Sequence, residues 1–116
     1  MNALVIDGNK VRVGGKEAVF KYPVKEAAEV KDIVVVVLDK PKGETMTENV
    51  FGIAKDGTIL WQIEKIPETS QDPVNSYMGV VKVMDDVVRI GNWNDVVVEV
   101  DVSSGKIVGK RFARFT

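Results

Sequence analysis

Residues 33–38 and 50–61 read IVVVVL and VFGIAKDGTILW, and this stretch of the chain decides its fold. It recurs with changes at residues 87–92 and 97–108, which read VVRIGN and VVEVDVSSGKIV. Each copy consists of an apolar strand, a second strand, a turn that contains Asp and Gly, and a third strand. A pattern that repeats after about fifty residues indicates a small unit that buries its apolar face against its neighbour.

The sequence outside the two copies also favours short strands. Residues 1–23 predict a hairpin around the turn at residues 7–10, followed by a further strand. Residues 24–30 (VKEAAEV) are ambiguous, because Ala, Glu and Lys favour a helix. A helix of under two turns is marginal, however, and an apolar strand follows almost at once. We therefore interpret residues 24–30 as a strand.

The turn of the first copy carries a motif found in a known class of repeats. Ala54, Asp56, Gly57 and Trp61 follow, one residue short, the order Ala-x-Asp-x-x-Thr-Gly-x-x-x-Trp. The second copy matches at Asp101, Ser104, Gly105 and Lys106, with Gly109 where Trp would stand. These residues resemble the blades of quinoprotein (PQQ-type) β-propellers, and the chain is also similar to small bacterial proteins with an Asn-Val-Phe-Gly-Ile signature. The resemblance implies four-stranded, blade-like units.

The predicted fold is thus all-β: an antiparallel meander of about ten short strands in a single domain, residues 1–116. Two propeller-blade-like four-stranded sheets, residues 24–64 and 79–115, pack together, and the N-terminal hairpin and strand, residues 1–23, close one edge. Two blades cannot close a ring of four or more around a channel. The quinone site of the resembled family is therefore not expected. Either the two sheets pack as a monomeric sandwich or two chains assemble a ring, so we expect a monomer or a homodimer.

The composition excludes several classes of function. The chain contains no Cys and no His, which rules out Ser-His-Asp and Cys-His catalysis and zinc bound by these residues. A net charge of −1 offers no attraction to nucleic acid, and no apolar run approaches the roughly 20 residues of a membrane span. The N-terminus does not resemble a signal peptide. We expect a cytoplasmic protein without catalytic residues, cofactor or metal, and with no nucleic-acid or membrane partner.

The best candidate binding residues lie around the turn at residues 92–95 (NWND). A Trp between two strands either folds back over the sheet or faces a partner, and exposed Trp is enriched at binding hot spots. The candidates are Trp93, Asn92, Asn94 and Asp95, together with Tyr77 at the end of a long proline-containing connection. By contrast, Trp61, Ile59 and Ile63 alternate along one strand, which predicts that all three belong to the core.

These observations favour a non-enzymatic module that recognises a protein partner through loops and edge strands. Within that class, an immunity-type or antitoxin-like role is one interpretation, which is based on analogy. The alternative is a small-molecule or carbohydrate-binding module that uses Trp93, Tyr77 and the two Asn residues beside Trp93. A third hypothesis is a carboxylate-dependent hydrolase, which would require two acidic side chains roughly 5–10 Å apart across a cleft.

Overall fold

The computed structural model describes residues 4–39, 48–64, 77–92 and 96–112, apart from the side chains of residues 78, 92, 96, 111 and 112. Within these ranges the chain forms eleven strands and no helix. The strands are β1 (Leu4–Asp7), β2 (Lys10–Val13), β3 (Lys16–Val19), β4 (Val24–Val30), β5 (Ile33–Leu38), β6 (Val50–Ala54), β7 (Ile59–Gln62), β8 (Tyr77–Val83), β9 (Val87–Asn92), β10 (Val96–Asp101) and β11 (Ile107–Phe112).

The strands form three antiparallel sheets in which each strand pairs with its neighbours in sequence. The N-terminal sheet contains β1–β3, the middle sheet β4–β7 and the C-terminal sheet β8–β11. The predicted all-β meander, with two four-stranded sheets and an N-terminal hairpin, is confirmed. The ambiguous segment at residues 24–30 is strand β4, which pairs antiparallel with β5.

The middle sheet is covered on both faces, and β5 shows this most clearly. Val35 and Val37 point into a core shared with the C-terminal sheet, where Val88 and Ile90 of β9 meet them. Successive side chains of a strand point to opposite faces. Residues 34, 36 and 38 therefore belong to a second core, which the middle sheet shares with the N-terminal sheet. This explains why β5 is apolar at every position.

The N-terminal sheet covers a face of the middle sheet, whereas the sequence predicted a hairpin that closes an edge. Val11 and Val13 of β2 and Phe20, just after β3, are buried in the core that contains Val34 and Val36. The rings of Phe20 and Phe51 lie 5.0 Å apart between centroids across this interface. The three sheets are consequently stacked face to face, with the middle sheet between the other two.

The predicted core position of Ile59 is wrong, while those of Trp61 and Ile63 are confirmed. Trp61 and Ile63 are buried, but Ile59 is 44% exposed. The reason is a β-bulge: Ile53 pairs with Ile59 and Gly52 with Trp61, so that Leu60 is an extra residue on β7. A bulge interrupts the alternation of side chains on which the prediction relied.

Trp61 joins the middle sheet to the C-terminal sheet. Its indole Nε1 donates a hydrogen bond to the Val102 carbonyl oxygen at 2.7 Å. Its ring lies directly over Gly52, where a Cβ would come within 2.2 Å of ring atom Cε2. A Cβ on Gly105 would also meet the ring, within 2.5 Å, and Gly105 has a left-handed φ of +77°. The absence of side chains at these two glycines allows the ring to fit between the sheets.

The two four-stranded sheets differ in the residues that lie side by side across their second, third and fourth strands. In the middle sheet, Gly52 pairs with Val35 on one side and Trp61 on the other, and Val35 and Trp61 are both buried. The corresponding row of the C-terminal sheet contains Arg89, Glu99 and Gly109. Arg89 Nε and Glu99 Oε2 form an ion pair at 2.9 Å on the face turned away from the core. The outer face of the C-terminal sheet thus carries a polar pair where the middle sheet carries buried apolar side chains.

Candidate recognition rim

The strand ends define two rims of the molecule. At one end, which we call the turn rim, connections of no more than five residues join β2–β3, β4–β5, β6–β7, β8–β9 and β10–β11. At the other end, the loop rim, β5, β7 and β9 end and β6, β8 and β10 begin. The longest connections in the chain, residues 39–49 and 63–76, both join strands at the loop rim.

Of the binding residues predicted at 92–95, the structure describes the backbone of Asn92, which lies at the loop rim. Asn92 is the last residue of β9 and pairs with Tyr77, the first residue of β8. Trp93, Asn94 and Asp95 lie outside the described residues, as does the side chain of Asn92. The end of β9 thus lies beside the start of β8, at the rim from which the two longest connections depart.

Tyr77, the other predicted site residue, is buried, with 2% of its surface exposed. Its hydroxyl donates a hydrogen bond to the Glu64 carbonyl oxygen at 2.9 Å. Burial, reinforced by the negative charges of Glu64 and Glu48, raises the pKa of Tyr77 above its usual range. Tyr77 therefore remains neutral and supports the loop rim from within the core.

Asn49 is the residue at this rim that the sequence analysis missed. It is 1% exposed. Its side-chain Nδ2 donates to the carbonyl oxygens of Leu38 and Tyr77, each at 2.9 Å. Its Oδ1 accepts a hydrogen bond from the Tyr77 amide, also at 2.9 Å. We call this arrangement the Asn49–Tyr77 clamp.

The Asn49–Tyr77 clamp fixes the strand ends that carry the connections. Leu38 ends β5, before the 39–49 connection, and Tyr77 begins β8, after the 63–76 connection. Asn92, which precedes residues 93–95, pairs with Tyr77. One buried side chain thus ties the middle sheet to the C-terminal sheet where all three connections meet them. A rigid base of this kind is what recognition loops require.

The turn rim contains a cleft of about 410 Å³ between the middle and C-terminal sheets. It is lined by Lys31, Asp32, Ile33, Asp86, Asp101, Val102 and Ser103. Lys31 forms an ion pair with Asp86, and Lys55 forms one with Asp32 at 3.0 Å. The hydrogen bond and the charge of Asp86 raise the pKa of Lys31. These exposed pairs balance much of the acidic charge of the cleft.

The charged form of Asp101 in this cleft is stabilised by hydrogen bonds from residues of the β10–β11 turn. The Ser104 hydroxyl donates to Oδ2 at 3.0 Å, and the Ser103 hydroxyl donates to Oδ1 at 3.1 Å. The bonds from Ser104 and then Ser103 lower the pKa of Asp101. A general acid at neutral pH needs a raised pKa, so Asp101 is placed as a turn former. Across the described ranges, no group of three or more acidic side chains is arranged to hold a metal ion.

Comparisons with known proteins match the chain to one family and to several solved folds. Residues 1–112 match the family model described as Domain of unknown function (DUF7957). No curated protein matches the sequence. No helix in the described part of the chain is long and apolar enough to cross a membrane.

Three solved structures share the fold at low identity. BamB from Moraxella catarrhalis aligns with a TM-score of 0.67 and 16% identity, over 96% of this chain and 33% of that one. The β-propeller domain of Cps50 (Swd1) from Myceliophteria thermophila gives 0.70 and 14%, over 96% and 38%. The computationally designed Ika8 protein gives 0.59 and 15%, over 95% and 32%.

These likenesses show that the sheets are arranged as in β-propellers, so the predicted propeller resemblance is confirmed at the level of the fold. The chain spans between 32% and 38% of the length of these structures. The quinoprotein type of blade is not confirmed by these three structures and remains a prediction.

Proposed function

The chain belongs to the DUF7957 family, a domain of unknown function, and from this premise we propose that it is a non-enzymatic module that binds a protein partner at its loop rim. The observation that carries the proposal is the Asn49–Tyr77 clamp, which holds together the strand ends from which residues 39–49, 63–76 and 93–95 depart. The opposite rim consists of short turns. Binding residues on β scaffolds are concentrated in loops that a rigid framework positions.

The chemistry of the described residues supports binding over catalysis. In the turn-rim cleft, Asp86 and Asp32 form ion pairs with Lys31 and Lys55, and the hydrogen bonds from Ser104 and Ser103 favour the charged form of Asp101. A hydrolase that uses two carboxylates needs one of them protonated at working pH. The small-molecule alternative calls for a pocket next to Trp93, whereas the cleft described above lies at the other rim. An immunity-type role remains one form that a protein-binding function could take.

The test is to compare the proteins captured by the wild-type chain with those captured by two variants. Trp93→Ala removes the central candidate residue, and Leu60→Ala removes an exposed side chain near the turn rim. We expect a partner that Leu60→Ala retains and that Trp93→Ala weakens by about thirtyfold, as for a hot-spot residue. The affinity is then measured with the purified partner by calorimetry.

The folding of both variants is checked by the thermal midpoint and by far-ultraviolet circular dichroism. If wild type and both variants capture the same proteins in equal amounts, the loop rim is not the binding surface and the proposal fails. A purified partner that binds Trp93→Ala as tightly as wild type would contradict it equally.

A further inference from the structure

Among the described residues, the N-terminal sheet contains one strand fewer than the other two sheets. In the middle sheet, β5 and β6 are joined at the loop rim and β6 and β7 at the turn rim. Likewise, β1 and β2 are joined at the loop rim and β2 and β3 at the turn rim. The three strands therefore correspond to the last three strands of a four-stranded unit. The first strand of the other units is β4 or β8. Among the described residues, no strand occupies the equivalent position beside β1.

The free edge of β1 presents a regular row of hydrogen-bonding groups. The turn at residues 8–9 contains two residues, so Asp7 and Lys10 form a hydrogen-bonded pair. In an antiparallel ladder such pairs alternate with pairs that are not hydrogen-bonded. The N–H and C=O groups of Leu4 and Ile6 therefore point away from β2, toward the free edge.

This edge lacks the protection found at the other edges. β1 pairs with β2 residue for residue, and its side chains Val5 and Ile6 are 45% and 43% exposed. Every other edge strand in the described ranges carries a bulge or charged residues. The charged residues are Lys16 and Glu17 on β3, and the ladder register shifts at Lys25 of β4, Leu60 of β7, Met78 and Val81 of β8, and Val108 of β11. Bulges and charges discourage the addition of a further strand, and β1 has neither before Asp7.

The space beside β1 fits a single extended segment. The first strands of neighbouring units touch: Glu26 Oε1 of β4 accepts a hydrogen bond from the Val80 amide of β8 at 2.9 Å. A strand beside β1 would be the same kind of neighbour to β4, which leaves no room for a folded sheet. Three apolar residues on this side, Leu4 of β1 and Val24 and Ala27 of β4, pack on the second core but are only partly buried. An added strand would cover them.

We propose that β1 is a docking edge for an extended segment of the protein partner, which pairs antiparallel with Leu4–Asp7 and completes the N-terminal sheet. This inference rests on the proposed protein-binding function. The strands β4 and β8, which hold the equivalent positions, are both seven residues long. The segment that fits is therefore about this length, without Pro, and has small or β-branched apolar residues on the side that faces Ala27. Strand addition draws its affinity from main-chain hydrogen bonds and its selectivity from alternate side chains.

The experiment uses amide hydrogen exchange, measured by NMR on the full chain. The probe is a synthetic peptide with the sequence of residues 24–30 (VKEAAEV), the strand that occupies the equivalent place on β5. In the free protein the Leu4 and Ile6 amides should exchange rapidly and those of β2 slowly. Saturating peptide should slow the Leu4 and Ile6 amides at least about tenfold.

Two proline variants provide a matched pair. Ile6→Pro removes an N–H that points to the free edge of β1. Val19→Pro removes one that points to the outer edge of β3, in the same sheet, because Val19 pairs with Lys10 outside the hydrogen-bonded pairs. Both residues are exposed edge positions, where Pro is tolerated. Peptide affinity should fall at least about tenfold in Ile6→Pro and stay unchanged in Val19→Pro.

Four results would overturn the inference. The Leu4 and Ile6 amides could be as protected in the free protein as those of β2, which would mean that the chain itself covers the edge. The peptide could give no saturable binding, or the two proline variants could bind it equally. A partner that is weakened by Trp93→Ala but not by Ile6→Pro would also refute the docking edge, while leaving the proposed function intact.

Discussion

Asn49 and Trp61 each form a long-range hydrogen bond that the neighbouring residues in the sequence do not predict. Asn49 bonds to the backbone of a residue 28 positions later, and Trp61 to a residue 41 positions later. The burial of Trp61 could be predicted from its alternation with Ile59 and Ile63 along one strand. The role of Asn49 could not, because an Asn at the end of a polar loop looks the same in sequence whether it faces water or clamps two sheets.

Removal of the Asn49 side chain should be costly. In Asn49→Ala the Leu38 carbonyl and both Tyr77 backbone groups lose their side-chain partner inside the protein. Unsatisfied buried polar groups cost about 1–3 kcal/mol each, part of which water entering the site recovers. We expect the free energy of unfolding, measured with urea, to fall by about 2–4 kcal/mol.

Gln62→Ala is the matched control for this prediction. Gln62 also bonds through its side-chain amide to a backbone carbonyl at the loop rim, that of Glu48, at 2.8 Å. Because this bond is exposed to solvent, water can replace it, and the expected loss is below about 0.5 kcal/mol. Equal losses in the two variants would show that the clamp does not depend on the burial of Asn49.

At the scale of single elements, the sequence predicts which segments form strands better than it predicts which of their side chains are buried. β4 is correctly predicted because its length and its position before β5 outweigh the helix preference of Ala, Glu and Lys. The exposure of Ile59 was not predictable, because the bulge at Leu60 depends on pairing with β6. Tyr77 was a candidate for binding because the alternation around a long connection does not reveal which of its residues enters the core.

The β10–β11 turn should contribute to the acid sensitivity of the protein. The pKa of Asp101 is lowered from its ordinary value of 3.8 by the bonds from Ser104 and Ser103. A carboxylate with a lowered pKa stabilises the folded state above its unfolded-state pKa, and this contribution is lost as the pH falls through the folded-state pKa. The urea midpoint should therefore drop between pH 7 and pH ~2.5, and it should drop less in Asp101→Asn.

A second variant, Ser104→Ala, tests the same contribution of the β10–β11 turn to acid sensitivity. It removes the bond that lowers the Asp101 pKa most, so its acid-induced drop should lie between those of wild type and Asp101→Asn. If all three proteins lose the same stability on acidification, the turn does not act through the ionisation of Asp101.

At the scale of the whole molecule, the two cores share the middle sheet and should unfold together. Val35 and Val36 are adjacent on β5 and belong to different cores. In a Trp93→Phe background, Trp61 is the remaining tryptophan and reports on the first core. Val35→Ala and Val36→Ala should each lower the free energy of unfolding by about 1–3 kcal/mol. Both should shift one transition, seen alike by Trp61 fluorescence and far-ultraviolet circular dichroism.

Val81→Ala serves as the control, because Val81 is 60% exposed on β8 and its truncation should change stability by less than about 0.5 kcal/mol. A Val36→Ala variant that alters the circular dichroism transition but leaves the Trp61 transition in place would mean that the N-terminal sheet unfolds separately.

The overall architecture could largely be predicted, because the repeated strand pattern and the apolar β5 require sheets that cover each other. The placement of the N-terminal sheet could not be predicted. The alternating pattern of residues 10–13 indicates a half-buried strand, whether that strand covers a face of the middle sheet or closes an edge. The predicted recognition residues at 93–95 lie outside the described residues, and their role remains a prediction for the capture experiment.

The pairing of each strand with its sequence neighbours has a consequence for how the protein is made. Hairpins close between segments that are already adjacent, so the loop-closure entropy of each step is small. During synthesis, β1–β7 can assemble two sheets before the ribosome has released the remainder of the chain. The Trp61 indole and the Asn49 amide find their last partners only when residues 77–102 emerge, so the synthesis of this segment converts a nascent sheet pair into the three-sheet stack.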